Sequence, residues 1–147
     1  LEDSGWVAKE ILRWPSSVVA APELLKKHPL PRSLDDLSKV PCITTLSVLQ
    51  GMPWRFKKKQ TIQVQSSYKV NSGNIAKAGA LKGLGFAILP THACQTEIDN
   101  GFLINIELNS EPEDLVLYAF YSGKIYPLDK VKVFLEHLRS GLIDLDS

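Results

Sequence analysis

Residues 68–90, YKVNSGNIAKAGALKGLGFAILP, decide the predicted fold because they contain a strand, a helix and a second strand in that order. A strand ends near Val70, and the turn 71–74 offers two side chains that can cap a helix. A helix of small residues is predicted over 75–82, and small side chains allow a helix to lie close to a sheet. Its packing face is predicted to carry the i, i+3, i+4 and i+7 positions Ile75, Ala78, Gly79 and Lys82.

The second half of this stretch ends the helix and begins the next strand. Gly83-Leu84-Gly85 predicts a left-handed helix cap. The apolar run 86–89 predicts a buried strand, which Pro90 ends. Two strands joined through a helix are typical of parallel strands with a right-handed crossover. The sequence therefore predicts an α/β fold.

The segments before this unit predict further strands and short helices. Val18–Ala21 is an uninterrupted apolar run, the pattern of a strand buried on both faces as in parallel sheets. Pro22 is suited to the first position of a helix over 23–27, and Ser33 lies three residues before Asp36, as in a capping box. Other predicted elements are an edge strand at 6–12 ended by Trp14-Pro15, a buried strand at Cys42-Ile43 followed by Thr44 and Thr45, and a hairpin of 54–56 and 62–64.

The segments after this unit complete the pattern. Thr91 is expected to cap a helix that Gly101 ends, and strands are predicted over 102–108 and 115–121. Pro127 begins an amphipathic helix, which is expected to pack on the protein's own sheet, with a coiled-coil partner surface as the alternative. The apolar stripe of this helix consists of Val131, Phe134, Leu135, Leu138 and Leu142.

The composition is that of one soluble globular domain. The 147 residues are 44% hydrophobic and 22% charged, which excludes a disordered chain. Uncharged apolar stretches are far shorter than the roughly 20 residues of a membrane span. A net charge of +1 provides no positive field for a phosphate backbone, so a stand-alone nucleic-acid binder is not expected.

Cysteine usage and the first residues bear on the compartment. Cys42 and Cys94 are too few for a disulfide framework and are expected to be buried thiols of a reducing compartment. The first residues show no charged segment followed by an apolar one, so no secretory signal is predicted. Because Leu1 opens the chain without a methionine, we expect that the chain was processed or is a piece of a longer protein.

No pattern for catalysis or metal binding stands out. The three histidines, His28, His92 and His137, are scattered over different elements, so structural or solvated roles are expected. His92 and Cys94 lie two residues apart without a second pair, which is weak evidence for a metal site. No serine lies in a Gly-x-Ser-x-Gly elbow, and Gly83-x-Gly85 ends a helix instead of cradling a phosphate. We therefore predict no catalytic residue, metal or cofactor.

A basic cluster surrounds the tip of the predicted hairpin. Aromatic side chains inside such a cluster can stack on nucleic-acid bases. The interpretation we favour is a solvated hairpin tip whose aromatic side chains point inward. The cluster consists of Arg55, Lys57, Lys58 and Lys59, with Trp54 and Phe56 among them.

Ligand binding is the function class that remains. In open parallel α/β sheets, ligands lie outside the carboxyl ends of strands, near helix N-termini. Such places offer hydroxyl, amide or backbone N–H groups here and no carboxylate, which favours a small anion such as a carboxylate. The alternative is that Asn71 and Ser72 only cap the helix. Three places fit the rule: Ala21 and Pro22, Thr44 and Thr45, and Asn71, Ser72 and Gly73.

The order of several short phrases resembles the effector domain of LysR-type transcriptional regulators. No single phrase is unique to that family, and their common order, over nearly the whole chain to about residue 142, carries the resemblance. The phrases are Val18–Pro22 with Leu24-Leu25, Pro31–Leu37, Trp54-Arg55-Phe56, Asn71-Ser72, Ala80–Pro90, Gly101-Phe102-Leu103, and Tyr126-Pro127-Leu128 with Val131 and Phe134–Leu138.

The resemblance implies a fold like that of type II periplasmic binding proteins, in which two lobes hold a small-molecule inducer between them. Residues 17–119 would form a complete second lobe. Residues 1–16 and 120–147 would be remnants of a largely missing first lobe, ending in a helix at about 127–142. With that lobe incomplete, the final helix is expected to fold onto the remaining lobe or against a second copy.

The resemblance also implies which residues face the inducer. Asn71, Ser72 and Gly73 match the family's inducer-facing turn, and Thr44 and Thr45 fall in a loop that faces the cleft. Ala21 and Pro22 lie close to the hinge crossing. This sequence has Leu24 where the family has tyrosine and Ser72 where it has aspartate, and these departures bear on which inducer is bound.

The function implied by the resemblance is inducer sensing in a cytoplasmic bacterial regulator. The full-length protein would be a homodimer or homotetramer and would bind operator DNA through a winged helix-turn-helix that this chain lacks. Inducer binding would shift the populations of lobe arrangements. The alternative is a solute-binding protein of a transport system, which shares the two-lobed fold. An enzyme is the least favoured of the three readings. It would need an acid, a base or a nucleophile at a strand end, and the three strand-end places lack one.

Overall fold

The computed structural model describes residues 5–45, 54–122 and 128–146. The chain divides into a central unit, Pro15–Glu113, and a flanking unit, Leu1–Trp14 with Asp114–Ser147. In chain order the elements are β1 (Trp6–Trp14), β2 (Ser16–Ala20), α1 (Pro22–Lys27), α2 (Leu34–Leu37), β3 (Pro41–Thr45), β4 (Trp54–Phe56), β5 (Gln60–Ile62), β6 (Gln65–Val70), α3 (Gly73–Leu81), β7 (Ala87–Pro90), α4 (Thr91–Asp99), β8 (Ile104–Asn105), β9 (Leu115–Ser122) and α5 (Leu128–Asp146).

The central unit is built on a sheet with the strand order β6–β3–β7–β2–β8. β3 and β6 pair in parallel, and a parallel bridge between Cys42 and Phe86 joins β3 to the start of β7. The N–H of Ile43 donates to the Phe86 carbonyl at 2.8 Å across this junction. The predicted strand–helix–strand unit is therefore confirmed as β6, α3 and β7, with β3 lying between the two strands.

β2 runs antiparallel to both of its neighbours, β7 and β8, so the parallel pairing predicted for this strand is wrong. Its burial is as predicted, because Val18, Val19 and Ala20 are at most 1% exposed. A continuous apolar run indicates that both faces of a strand are covered. Coverage is the same for either strand direction, so the run carries no information about direction.

The two ends of α3 follow the predicted chemistry. The helix begins at Gly73, two residues earlier than predicted, because Ser72 is its N-cap. The Ile75 N–H donates to Ser72 Oγ at 3.2 Å. After the helix, Gly83 adopts a φ of 75°, which confirms the left-handed cap.

The predicted packing face of α3 is confirmed at Gly79 and wrong at Ile75. Ala76 and Ala80 are buried, whereas Ile75 is 50% exposed. The helix lies so close to β3 that a Cβ atom on Gly79 would be 3.0 Å from Ile43 Cδ1. At that separation the interface accepts methyl groups and excludes larger side chains, so the largest apolar residue of the helix faces outward.

Local sequence signals elsewhere in the central unit are confirmed. α1 begins at Pro22, and Ser33 Oγ accepts a hydrogen bond from the Asp36 N–H at 3.1 Å. β4 and β5 form the predicted hairpin, although β5 covers Gln60–Ile62 in place of the predicted 62–64. Its tip holds Lys58 at φ 62° and Lys59 at φ 58°, a left-handed pair that normally favours glycine or asparagine.

Two further boundaries differ from prediction, and a third lies outside the described residues. Thr91 is the first residue of α4 instead of its cap, and Pro90 occupies the cap position without a side-chain hydrogen bond. The strand predicted over 102–108 is reduced to Ile104–Asn105. Pro127 lies outside the described residues, which resume at Leu128 where α5 begins.

Two hydrophobic clusters cover the opposite faces of the central sheet. Consecutive residues alternate between the clusters, as a strand requires: Val18 belongs to one and Val19 to the other, and Cys42 and Ile43 divide in the same way. Both cysteines are buried free thiols, as predicted. The central unit thus has a sheet that is covered on both sides.

The flanking unit is an antiparallel ribbon of β1 and β9 with α5 packed on one face. Ile11 and Leu135 are its buried apolar residues among those described, at 5% and 6% exposure. Within the predicted stripe of α5, Leu138 packs against this pair, and Phe134 is 60% exposed. The side chains of Val131 and Leu142 lie outside the described part. The assignment of 17–119 to one lobe and of 1–16 and 120–147 to remnants of another stays a prediction.

Candidate functional site

The parallel strands of the central unit end at one edge of the sheet, here called the carboxyl edge. Thr45 at the end of β3 pairs with Val70 at the end of β6. Thr44 and Thr45 therefore lie next to the turn of Asn71, Ser72 and Gly73, which follows Val70. The structure brings five of the seven predicted ligand-binding residues to this edge.

Ala21 and Pro22 lie at the opposite edge of the sheet. Because β2 is antiparallel to β7, Ser16 pairs with Pro90 at the end of β7, and Val19 pairs with Ala87 at its start. The residues that follow β2 are therefore remote from the carboxyl edge. The structure does not bring Ala21 and Pro22 together with the other five residues.

The reversed direction of β2 brings Ser16 and Ser17 to the carboxyl edge, which sequence reasoning missed. Ser17 is 7% exposed, and its Oγ lies 2.7 Å from Thr91 Oγ1. Ser16 Oγ donates to the Glu113 carbonyl at 2.7 Å. The Thr91 N–H donates to the Pro15 carbonyl at 2.9 Å. A serine pair preceding a buried apolar run would have indicated these residues if the strand direction had been known.

Hydroxyl groups also line the parallel pair at this edge. Thr44 Oγ1 lies 2.5 Å from Ser66 Oγ, while Thr45 and Asn71 are exposed. Ser72 is engaged as the cap of α3, so the alternative capping role is confirmed for Ser72. No hydrogen bond to Asn71 that would make it a cap is found in the described residues.

The electrostatics of the carboxyl edge come from two helix N-termini and neutral polar side chains. α3 follows β6 and α4 follows β7, so both helices begin at this edge. Helix N-termini carry partial positive charge and exposed N–H donors. The side chains that follow the strands here are hydroxyls and one amide. This arrangement is suited to a small ligand with a negative charge.

The described residues contain neither a candidate metal site nor a candidate membrane-spanning helix. In the ranges 5–45, 54–122 and 128–146, no three His, Cys, Asp or Glu side chains are close enough to hold a metal ion. No helix among these residues is both long enough and apolar enough to span a bilayer.

The chain matches one protein family over nearly its whole length. The family described as LysR substrate binding domain matches residues 1–142. The HTH-type transcriptional activator TtdR of Escherichia coli is 29% identical over 124 residues, which are 81% of this chain and 39% of that protein. The HTH-type transcriptional regulator CrgA of Neisseria meningitidis is 29% identical over 150 residues, covering 94% and 47% respectively. The chain therefore spans less than half the length of these curated relatives.

Solved structures show the same fold. CrgA aligns with a TM-score of 0.70 at 24% identity, over 97% of this chain and 49% of CrgA. The isolated CrgA regulatory domain aligns with a TM-score of 0.63 at 26% identity, over 97% of this chain and 71% of that domain. The full-length virulence activator AphB of Vibrio cholerae aligns with a TM-score of 0.68 at 19% identity, over 92% of this chain and 47% of AphB.

Proposed function

The chain belongs to the LysR substrate binding domain family, and on this premise we propose that it is the effector-binding part of a DNA-binding transcriptional regulator. The relatives are transcriptional regulators, which gives the transport alternative no support. The effector we propose is a small anion, such as a carboxylate.

One observation carries this proposal: two threonines and the Asn71–Gly73 turn meet at the carboxyl edge beside two helix N-termini. Asn71 and Thr45 are the exposed polar side chains of this group, so they are the proposed effector contacts. Ser72 orders the turn as the cap of α3. Backbone N–H groups at a helix N-terminus favour a negatively charged group.

We assign the central unit to the second lobe of the regulatory fold and the flanking unit to part of the first. The chain covers 71% of the CrgA regulatory domain, which leaves room for further residues of that lobe in the intact protein. Operator DNA would bind through a winged helix-turn-helix outside this chain. The intact regulator would be a homodimer or homotetramer and would act in the cytoplasm without a cofactor or a catalytic step.

The test uses the intact regulator and its own upstream DNA in a gel-shift assay. A panel of short mono- and dicarboxylates and inorganic phosphate is compared with neutral amides of the same carbon skeletons. We expect that one of the anions changes operator affinity and that its neutral counterpart does not. The proposed function is overturned if the regulator fails to bind its upstream DNA or responds equally to charged and neutral compounds.

Two variants locate the response on the structure. Asn71→Ala and Thr45→Val should weaken the response to the anion while leaving DNA binding without anion unchanged. Pro22→Ala at the opposite edge of the sheet is the matched control and should respond as the wild type does. A response lost in Pro22→Ala and kept in Asn71→Ala would place the site elsewhere.

A further inference from the structure

The two helices that begin at the carboxyl edge are held in place by different means. α4 is fixed at its start by the Thr91 N–H bond to Pro15 and by the Thr91–Ser17 hydroxyl pair. It also buries Cys94 completely. α3 buries only the methyl groups of Ala76 and Ala80. The buried side chains of α3 are therefore only methyl groups, although this helix lies close to β3 and carries the Asn71–Gly73 turn at its start.

The two larger apolar side chains of α3 are not buried against the rest of the protein. Ile75 is 50% exposed and Leu81 is 37% exposed. A polar contact links α3 to the neighbouring helix: Lys77 Nζ lies 2.5 Å from Glu97 Oε1 on α4. The two side chains are only 26% and 22% exposed. Lys77 is one helical turn after Gly73, so the contact lies directly behind the turn.

The Glu97 carboxylate is held in place by its contact with Lys77. Its second oxygen, Oε2, is buried and has no hydrogen-bond partner among the described residues. A buried acceptor without a partner is costly, so the carboxylate has little reason to stay in place if Lys77 is removed. The hydrogen bond from Lys77 also holds the pKa of Glu97 below its ordinary value.

We propose that Lys77 and Glu97 are positioning residues of the candidate site, which clamp α3 to α4 and thereby set the place of the Asn71–Gly73 turn. The inference rests on the proposed function only for the meaning of that turn as an effector contact. The clamp itself is a property of the protein without a ligand, so it is tested without one.

Amide hydrogen exchange measured by NMR on this chain gives the first test. Glu97→Gln, which keeps the shape and removes the charge, should accelerate exchange in α3 about tenfold. It should also shift the amide signals of Ser72 and Gly73 while α4 and β7 keep their protection. Asp35→Asn is the matched control, because its pair with Lys39 is 79% and 68% exposed, and it should change neither helix.

A charge exchange separates positioning from general stability. Lys77→Glu alone should move the Ser72 and Gly73 signals, and the double variant Lys77→Glu with Glu97→Lys should restore them. Lys77→Arg, the conservative change, should keep them near their wild-type positions. If α3 and α4 lose protection by the same factor, or if the signals of the turn do not move, the pair has no positioning role and the proposal is overturned.

The ionisation of Glu97 provides a signature that a packing change would not produce. In Lys77→Met the carboxyl loses the hydrogen bond and the charge of Lys77, so its pKa should rise toward the ordinary value, as followed by ¹³C titration. A pKa that stays as low as in the wild type would overturn the clamp. None of these outcomes depends on the anion screen, so the clamp and the proposed function stand or fall separately.

Discussion

Among the described residues, the central unit buries many large apolar side chains, and the flanking unit buries only Ile11 and Leu135. Two clusters cover both faces of the central sheet, whereas the ribbon of β1 and β9 is covered by α5 on one face. The open face of the ribbon carries Tyr118 and Phe120, which are 48% and 54% exposed and lie next to each other. The difference teaches that, in the described part of the chain, the sheet of the central unit is covered on both faces and the ribbon on one.

The largest effect should come from removing a phenylalanine from each unit. Phe86 is 0% exposed where β3 meets β7, so Phe86→Ala should lower the free energy of unfolding by about 3–5 kcal/mol. Phe120→Ala should cost about 0.5 kcal/mol or less, since its ring is already in water. Urea denaturation followed by circular dichroism measures both. Equal costs would mean that the open face of the ribbon is covered in solution.

The strained hairpin tip offers a gain in stability confined to the central unit. Lys59 has a φ of 58°, a left-handed conformation that costs a residue with a Cβ about 1 kcal/mol. Lys59→Gly should therefore stabilise the central unit by about 0.5–1 kcal/mol. Lys69→Gly in β6, where the backbone is extended, is the control and should destabilise. Hydrogen exchange measures the protection of each unit separately. An equal increase in protection in both units would contradict the division of the chain into two units.

The pH dependence of stability should also differ between the units. The Lys77 ammonium lowers the pKa of Glu97, so its stabilising contribution is complete above the ordinary carboxyl value and is lost as the pH falls through the lowered pKa. Glu97→Gln should flatten this part of the acid-unfolding profile. In the flanking unit the Arg13–Glu10 pair is 51% and 44% exposed, so Glu10→Gln should change the free energy of unfolding by less than about 1 kcal/mol. A larger effect from Glu10→Gln would reverse the comparison.

The last prediction is that the two thiols of the central unit do not react in the folded protein. Burial raises the pKa of Cys42 to about 12 and also raises the pKa of Cys94. Since the thiolate is the reactive form, neither should react with Ellman's reagent at pH 8 in the folded protein. A chain that ends at Ser122 lacks α5, and its thiols should stay as protected as before. Rapid labelling of that shorter chain would show that the central unit needs the flanking one.

Local signals in the sequence were sufficient for most of the secondary structure. The signals that begin or end a helix act within one turn of the chain, so their effects follow from neighbouring residues alone. Examples are Pro22, the Ser33–Asp36 cap and Gly83. The predicted direction of β2 was wrong because an apolar run indicates burial and carries no information about strand direction. The prediction that Ile75 packs on the sheet was wrong because the close approach of α3 at Gly79 depends on the strand beneath it.

The candidate site was predicted in part for the same reason. The turn at Asn71 and the pair Thr44 and Thr45 follow strands whose parallel direction was predicted correctly, and they meet as expected. Ser16 and Ser17 were missed, and Ala21 and Pro22 were placed with the others, because all four depend on the direction of β2. A single strand direction thus separates the predicted arrangement of these residues from the arrangement in the structure.

The hydrogen bond between Ser16 and Glu113 also has a consequence for the order of folding. Trp14 pairs with Leu115, so the two strands of the ribbon must meet across an intervening chain of about 100 residues. In an unfolded chain that encounter is entropically costly. Once the central unit has folded, the Ser16 hydroxyl and the Glu113 carbonyl are 2.7 Å apart, and the ends of the intervening chain are already joined. The ribbon should therefore form last, as a short hairpin closed by a folded domain in place of a turn.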